Sequence, residues 1–425
     1  MNRHSVMSLC VITIFLVIFF TWPRLFTNNI KRQESSSIFE SESSFSIPDL
    51  ITNPKVYSIL ESTPISKDVV VRSAYFDDRP KNGHSNITIF FADVNKTIFD
   101  SKWILGCGVG NVIAKDFLVR YVAEDILMHN WLGPKPFLYE QLAIECYDLR
   151  VKNGSRAFVI YKTASNSSEE IVTESERPLM IPSPRIQPSG EYNFTIVTCT
   201  KAHDKHVTWF PEFVRYQKTL GVDHVHISIL DTLIKDGGFH DFMTNEPFLR
   251  KAAREGYLTF SVWKEWYTDK KEVYLHSEIL RKLDCIYRYR GTYDYAFPLD
   301  TDDFFTPRVP GKTQLKYYIN KYCYVKPYAS CSFYWIWLYP QLCGMKSKVG
   351  EDGNVTDVLI SQKGKPPDHR YKSVHKTQAI FDATFHDAMC PKCLLPGYKA
   401  VMIPSHVAYV AHNRMNVGGD KKKLC

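Results

Sequence analysis

Two aspartates, Asp300 and Asp302, follow a short apolar run and are the residues of this chain best suited to chemistry. The run ends in Phe297, Pro298 and Leu299 and has the composition of a buried strand. Residues i and i+2 of an extended segment share a face, so two carboxylates at the mouth of a strand can converge on one hard cation. Such a cation can bridge the two phosphates of a bound nucleotide. The motif therefore predicts a metal–nucleotide site.

Other kinds of site also use an Asp-x-Asp motif. A calcium loop of the EF-hand type is excluded, because Phe305 stands where that loop needs glycine and Gly311 where it needs glutamate. Phosphatases of the haloacid dehalogenase class usually have Thr or Val where this chain has Phe304, and their motif follows the first strand of the domain. That class and a plain polar turn with a helix cap are the open alternatives.

Strands and helices alternate from Tyr192 onwards, and this order positions the acidic motif. Apolar runs and helical periodicity predict, in chain order, strand 194–200, helix 209–220, strand 224–231, helix 248–255, strand 258–262, helix 272–290 and the strand before Asp300. Such an order implies a mostly parallel sheet with right-handed crossovers. Ligands bind outside the carboxyl ends of such strands, where Thr200, Lys201, Asp231 and Asp300 are expected.

The N-terminal residues predict a membrane anchor. Residues 6–22 are apolar apart from hydroxyl side chains, and the length of this segment is at the lower limit for a helix that spans a bilayer. No small-x-small pair follows it to mark a signal-peptide cleavage site. We expect a cytoplasmic tail at 1–5, a transmembrane signal anchor at 6–22 and a stem rich in Ser, Glu, Thr and Pro at 23–68. A short anchor suits an early secretory membrane.

Sequons and cysteines place the rest of the chain in the secretory lumen. Asn-x-Ser/Thr triplets without an internal proline begin at Asn86, Asn95, Asn153, Asn166, Asn193 and Asn354. Beyond Cys10, which lies in the anchor, the even number of cysteines allows up to five disulfides. Cys390 and Cys393 resemble half a zinc site, but a second Cys-x-x-Cys is missing and a structural disulfide is favoured.

The segment before the alternating region is β-rich. Runs at 69–76, 87–91 and 157–161 are strand-like and are separated by turn residues, which predicts a sandwich-like accessory domain at 69–185. The glycines at 106, 108 and 110 lack the G-x-G-x-x-G spacing and predict a turn or a bulge. The net charge of +8 is spread without a basic stripe that contains aromatics, so no nucleic-acid partner is expected.

Short motifs in residues 190–425 resemble glycosyltransferase family 92 in their order and spacing. They are Val197-Thr198-Cys199, Leu220-Gly221-Val222, Asp284-Cys285, Asp300-x-Asp302-Asp303-Phe304 and His412-Asn413-Arg414. The resemblance implies an α/β catalytic domain of the GT-A fold at 190–425, in a single-pass type II Golgi membrane protein. It also implies an inverting, metal-dependent galactosyltransferase that uses UDP-galactose and N-glycan acceptors, including core fucose.

Three positions depart from the family pattern. Asp303 stands where Glu is usual, Asn413 where Tyr is usual, and Ser277 lies near a helix start where Gln is more usual. Such changes would fit a relative that has lost turnover and only binds glycans in the lumen. The intact Asp-x-Asp pair favours an enzyme.

The resemblance also implies roles for particular residues. Asp302 is expected to ligate the metal directly, and Asp300 to reach it through water or to hold the ribose. Mn²⁺ is the expected metal, since carboxylate, phosphate and imidazole ligands suit it. His412 is the expected imidazole ligand, with His406 as the fallback. Further residues, Thr200, Lys201 and Asp231, are expected to hold the uridine and the pyrophosphate of the UDP-sugar.

An inverting transfer also needs a carboxylate that deprotonates the acceptor hydroxyl. The sequence leaves this base open, with Glu351, Asp352 and Asp387 as weak candidates and His386 as a neighbour that could line the site.

The alternating aromatics Phe333, Trp335 and Trp337 share one face of a predicted strand, with Tyr334 on the other. One of these faces is expected to be core, and a ring of the other could stack on a sugar. Oligomer formation is left open.

Overall fold

The computed structural model describes residues 57–60, 69–81, 83–95, 104–122, 139–151, 154–163, 171–202, 210–235, 239, 243, 245–264, 277–324, 328–338, 370–382 and 393–413. These residues form a mixed α/β protein with two curled sheets and few helices. The predicted tail, the predicted anchor and the stem up to residue 56 lie outside the described ranges. Within those ranges, no helix is both long enough and apolar enough to cross a membrane.

The first strand among the described residues belongs to the larger sheet. Strand β1 (Tyr57–Leu60) lies within the range predicted as stem and pairs in parallel with a much later strand at Leu258–Trp263. Four residues of this range therefore form an edge of the larger sheet.

An eight-stranded accessory sheet follows. Its strands, in chain order, are β2 (Val69–Asp77), β3 (Ile87–Asn95), β4 (Ile104–Val109), β5 (Val112–Ile113), β6 (Phe117–Tyr121), β7 (Tyr139–Cys146), β8 (Arg156–Thr163) and β9 (Ile171–Met180). They are arranged β5-β4-β8-β9-β2-β3-β7-β6, and a disulfide from Cys107 to Cys146 links β4 with β7. The predicted glycine turn is confirmed. Gly110 has a φ of +59° in the β4–β5 hairpin, and a Cβ on Gly108 would lie 2.1 Å from the carbonyl oxygen of Val112.

The larger sheet contains the predicted parallel strands. These are β10 (Ile196–Ala202), β11 (His224–Leu230), β12 (Leu258–Trp263) and β13 (Tyr295–Pro298), which lie in the order β12-β11-β10-β13. Every pairing among these four strands is parallel, as the alternating pattern predicts. Their apolar runs are buried because helices cover parallel sheets.

The second half of the larger sheet is mixed. Its strands are β14 (Asp303–Pro307), β15 (Tyr328–Leu338), β16 (Tyr371–Lys376), β17 (Lys399–Ile403) and β18 (Ala408–Asn413). The order continues β13-β16-β15-β18-β14, and β17 also pairs with β15. Strand β16 is antiparallel to both of its neighbours, whereas β15 and β18 run in parallel. The prediction of a mostly parallel sheet therefore holds for β1 and β10–β13, and the later strands mix both directions.

The described residues include five α-helices and one short 3₁₀ helix, Thr377–Ala379. The α-helices are α1 (Phe210–Thr219), α2 (Asp231–Lys235), α3 (Pro247–Arg254), α4 (Glu278–Arg288) and α5 (Leu315–Tyr322). Helix α1 ends at the predicted glycine, since Gly221 has a φ of +75° that a side chain would disfavour. Helices α1, α3 and α4 match the three predicted helices, although α4 is shorter than the predicted 272–290 within the described ranges.

Helix α4 lies between the two sheets and joins their cores. Every residue from Glu278 to Tyr287 is buried, including four charged ones. Its apolar side chains share one cluster with residues of both sheets, among them Tyr75, Phe91, Val197, Cys199, Ile279, Leu283 and Ile286. A disulfide between Cys199 and Cys285 fastens this helix to β10, and another joins Cys323 to Cys331. Cys393 is also disulfide-bonded, as the prediction of a structural role requires.

Candidate donor and metal site

The candidate site lies where the strand order of the larger sheet reverses. From β10 the chain moves outward to β11 and β12, and then returns to place β13 on the other side of β10. Ligands of open α/β sheets bind in the crevice outside the carboxyl ends of the strands at such a switch point. Lys201 lies at the carboxyl end of β10, and Asp300 follows β13. Their side chains approach to 3.8 Å.

A tight turn carries the chain from β13 into β14 and presents the acidic motif. The amide of Leu299 donates to the carbonyl oxygen of Cys199 at 2.9 Å, which extends the pairing of β13 with β10. The amide of Asp303 donates to the carbonyl oxygen of Asp300 at 3.0 Å, and the amide of Asp300 donates to Oδ2 of Asp303 at 2.9 Å. The side chain of Asp303 thus closes the turn that positions Asp300 and Asp302.

Asp303 and His412 are directly opposite each other in the antiparallel pair β14–β18. Their side chains therefore lie on the same face of the sheet, and Nδ1 of His412 is 2.9 Å from Oδ1 of Asp303. The indole Nε1 of Trp335 donates to the same oxygen at 2.7 Å. The indole ring also packs on the imidazole, with 4.4 Å between the ring centroids. The position of His412 is thus fixed by β14 and β15 together.

Asp302, Asp303 and His412 form a possible metal site. One ligand atom from each residue lies within 4.8 Å of the other two, and Nδ1 of His412 is 3.5 Å from Oδ1 of Asp302. Two carboxylate oxygens and one imidazole nitrogen are a donor set that suits Mn²⁺ and related divalent cations. The geometry brings Asp302 and His412 together, as predicted, and adds Asp303 as the third member.

The proton state of His412 depends on these carboxylates. Burial disfavours the imidazolium ion, but the hydrogen bond to Asp303 and the charges of Asp303, Asp302 and Asp300 outweigh it, so the pKa of His412 is raised. Asp303 stays ionised, because Lys372 lowers the pKa of Asp303 against the effect of burial. Without a metal, Nδ1 of His412 therefore keeps its proton and donates a hydrogen bond to the carboxylate of Asp303. A cation bound at Nδ1 must displace this proton.

Asp300 faces lysines. Its Oδ2 is 2.7 Å from Nζ of Lys372, and its Oδ1 is 3.3 Å from Nζ of Lys282 and 3.8 Å from Nζ of Lys201. Although burial opposes ionisation, the charges of Lys282, Lys372 and Lys201 hold the pKa of Asp300 well below its usual value. We call Lys201, Lys282 and Lys372 the lysine cluster.

Glu278 is a third carboxylate that pairs with the lysine cluster, besides Asp300 and Asp303. It is fully buried at the start of α4 and forms ion pairs with Lys201 and, at 2.9 Å, with Lys282. Glu278 and Lys282 are four residues apart, which places them on one face of the helix. Burial lowers the pKa of Lys282 to about 8 even though Asp300 opposes this shift. Burial also holds the pKa of Lys201 well below its usual value, and the three lysines pair with the carboxylates of Glu278, Asp300 and Asp303. The amino groups of the cluster thus lie beside the possible metal site, where groups of this type can pair with a diphosphate.

The profile of glycosyltransferase family 92 matches residues 194–423, more than half of the chain. The chain belongs to glycosyltransferase family 92. The matched segment includes β10, α4, the acidic motif and His412, and therefore every residue of the possible metal site and of the lysine cluster. The accessory sheet lies before it. A search of curated protein sequences finds no significant match.

The remaining predicted residues fall in different places of the family 92 domain. Thr200 is buried beside Lys201, and its hydroxyl has no hydrogen-bond partner among the described residues. Asp231 is buried as the first residue of α2, at the carboxyl end of β11. His406 is exposed in the turn between β17 and β18. The base candidates Glu351, Asp352 and Asp387, and their neighbour His386, lie outside the described residues.

The aromatic strand has a structural role. Phe333 is fully buried in the core of the larger sheet, and Trp335 is 4% exposed and contacts Asp303 and His412. Tyr334, on the other face, is half-buried against Tyr371. A sugar-stacking role for Phe333 or Trp335 is therefore not available in this structure.

Sequence reasoning missed Glu278, Lys282 and Lys372. Glu278 and Lys282 have the spacing of an exposed ion pair on a helix, whereas both are buried beside Lys201 on β10 and Asp300 after β13. Lys372 lies on β16, and only the strand order places β16 beside β13. The Glu-x-x-x-Lys spacing of Glu278 and Lys282 is the sequence signal for their ion pair, and no sequence signal places Lys372 beside Asp300.

Proposed function

We propose that this family 92 protein is a metal-dependent, inverting galactosyltransferase that transfers galactose from UDP-galactose to a glycan acceptor of the N-glycan type, including core fucose. One observation carries the proposal: the possible metal site of Asp302, Asp303 and His412 adjoins the lysine cluster at the switch point of the sheet. A sugar nucleotide needs both a cation and positive side chains for its diphosphate. The galactose donor and the GT-A fold follow from the family resemblance.

The residues present fit a divalent metal such as Mn²⁺. Asp302 and Asp303 would supply carboxylate oxygens and His412 its Nδ1, while Trp335 keeps Asp303 and His412 in place. When bound, the metal supplies Lewis-acid stabilisation of the negative charge on the leaving UDP.

The lysine cluster contributes to the same step. Lys201 and Lys282 are positioned by Glu278, and Lys372 bridges Asp300 and Asp303 at 2.7 and 2.8 Å. Preorganised ammonium groups stabilise the charge that develops on a leaving diphosphate. Asp300, held among these lysines, is proposed to contact the ribose or to reach the metal through water. Thr200 and Asp231 are proposed to contact the nucleoside.

Inversion requires one carboxylate that removes the proton of the acceptor hydroxyl as the sugar is transferred. Glu351, Asp352 and Asp387 are the proposed candidates, and each can be tested by substitution with the corresponding amide.

We further propose a type II Golgi membrane protein, with a tail at 1–5, an anchor at 6–22, a stem to 68, the accessory domain at 69–185 and a lumenal catalytic domain at 190–425. Disulfides in both sheets support an oxidising compartment. The sequon residues Asn86 and Asn193 are exposed, which supports glycosylation of the folded surface.

Binding of UDP to the full-length protein, measured by calorimetry with and without Mn²⁺, tests the site. We expect Mn²⁺-dependent binding by the wild type and at least about tenfold weaker binding by Asp302→Ala and His412→Ala. His406→Ala, which changes an exposed histidine, is the matched control and should bind as the wild type does. Equal affinities for all four proteins would contradict the proposal. UDP binding without transfer from any UDP-sugar would indicate the inactive glycan-binding relative.

A further inference from the structure

Ser277, the residue before α4, has an unusual backbone conformation. Its φ of 58° and ψ of 34° lie in the left-handed region, which residues other than glycine seldom adopt. Its side chain is fully buried and makes no capping hydrogen bond to the helix. Such a conformation persists only where the surroundings hold it, and it is found most often at functional sites.

The accessory sheet holds Ser277. Its hydroxyl donates to the carboxylate of Asp93 on β3, with 2.8 and 2.9 Å to the two oxygens. Asp93 is itself fully buried and ion-paired with Nε of Arg72 at 2.7 Å. Arg72 in turn donates to the carbonyl oxygen of Lys264 at 2.8 Å and lies 5.1 Å from the ring centroid of Trp263. The contact to Ser277 is therefore anchored to both sheets.

Two further accessory strands hold α4. The side-chain oxygen of Gln141 on β7 accepts from the amide of Leu280 at 3.2 Å, so the accessory sheet caps the first turn of the helix. The hydroxyl of Tyr75 on β2 donates to the carbonyl oxygen of Asp284 at 3.0 Å. Strands β2, β3 and β7 thus restrain the axial position and the rotation of α4, together with the disulfide from Cys285 to Cys199 on β10.

The rotation of α4 controls the lysine cluster. Glu278 directly follows Ser277, and its carboxylate pairs with Lys201 and Lys282. A change in the backbone of Ser277 therefore moves a carboxylate that pairs with two of the three lysines. Both lysines lie within 4 Å of Asp300, so the displacement reaches the acidic motif.

We propose that Asp93 and Ser277 are positioning residues, through which the accessory sheet sets the lysine cluster for the donor diphosphate. This inference rests on the proposed function of the cluster. It assigns the accessory domain a part in donor binding, although that domain contributes no residue to the lysine cluster or to the possible metal site among the described residues.

The test measures UDP affinity in Mn²⁺ and the donor KM and kcat of the full-length chain. We expect Ser277→Ala and Asp93→Asn to weaken UDP binding by about tenfold or more and to raise donor KM more than they lower kcat. Val159→Ala is the control for lost stability, since Val159 is buried in the accessory core, away from α4. It should lower Tm and leave UDP affinity unchanged. If Ser277→Ala does not fold, Ser277→Gly removes the same hydroxyl and tolerates the backbone conformation.

A double-mutant cycle tests the route through Glu278. In a Glu278→Gln background, Ser277→Ala should cause no further loss of UDP affinity, because the group that it positions has already been changed. Additive losses, or equal weakening by Val159→Ala, would overturn the inference. If Ser277→Ala binds UDP as the wild type does, while Lys282→Ala binds UDP more weakly, the inference is also overturned. The proposed function would then remain intact. Unchanged affinity in Lys282→Ala and Lys201→Ala would instead refute the diphosphate site.

Discussion

Nδ1 of His412 lies 2.9 Å from Oδ1 of Asp303, so the imidazole proton and a bound cation compete for the same position. Asp303 also accepts from Trp335, Lys372 and the amide of Asp300, which occupies its remaining acceptor sites. The pair is therefore held from several elements, and its protonation would be coupled to the binding of a metal by His412.

Metal affinity should rise with pH. Because the carboxylates raise the pKa of His412 above its usual value, the imidazole is protonated at about pH 6 and must lose its proton to bind a metal. We expect Mn²⁺ to bind more tightly as the pH increases, with about one proton released per ion. Calorimetry in buffers of different ionisation enthalpy measures this number. His412→Gln should bind Mn²⁺ weakly at every pH. A wild-type Mn²⁺ affinity that does not change with pH would contradict the coupling of metal binding to the His412 proton.

Asp303→Glu should impair this protein even though Glu is the usual residue of the family. Asp303 is fully buried, and all its acceptor sites are matched to donors. One extra methylene would overpack the site, and we expect the free energy of unfolding to fall by about 1–3 kcal/mol. Mn²⁺ affinity should fall as well. Denaturant titration and calorimetry measure the two effects, and a variant that is more stable and binds metal more tightly would show that the site tolerates both acids.

Acid should destabilise the fold through buried histidines. Burial lowers the pKa of His224 and of His375 to about 4, so the folded state binds fewer protons than the unfolded state between about pH 6.5 and pH 4. Stability therefore falls as the pH drops through this window, by up to about 3 kcal/mol for each histidine. The midpoint of thermal unfolding, measured across this pH window, should depend less on pH in His224→Gln than in the wild type. His406→Gln changes an exposed histidine, and its Tm should depend on pH as the Tm of the wild type does.

The disulfide between Cys199 and Cys285 should support donor binding as well as stability. It joins β10, two residues before Lys201, to the helix that carries Glu278 and Lys282. Replacing both cysteines with alanine should cost about 2–5 kcal/mol and weaken UDP binding. Replacing Cys107 and Cys146 is the matched control within the accessory sheet. This control should lower stability and leave UDP affinity unchanged. If both double variants weakened UDP binding equally, the disulfide between Cys199 and Cys285 would have no local role in donor binding.

The sequence predicted those parts of the site that depend on local pattern. The strand before Asp300 and the placement of Lys201 and Asp300 at strand ends followed from alternating elements and from the rule for strand ends. The strand order that puts β13 beside β10 required the structure. Asp302 and His412 meet as the family resemblance implied. The partners of Asp300 could not be predicted from the sequence, because Lys282 and Lys372 belong to elements whose neighbours are determined by long-range packing.

The accessory sheet shows the same limit. Its strands were recognisable from β-rich runs between turn residues, as β2, β3 and β8 confirm. Its contact with α4 could not be predicted, since Ser277 and Asp93 are 184 residues apart and neither belongs to a recognisable motif. Asp303 was recognised only as a departure from the family, and its pairing with His412 required the register of β14 and β18.

Sugar transfer by the full-length protein, with Mn²⁺ and a panel of UDP-sugars, tests the central claim most directly. The wild type should transfer from UDP-galactose to an N-glycan acceptor, and removal of Mn²⁺ with a chelator should abolish transfer. Asp302→Ala should lower kcat/KM by at least about a hundredfold, whereas His406→Ala should match the wild type. Equal turnover by the wild type and Asp302→Ala, or activity that persists without a divalent cation, would contradict the account.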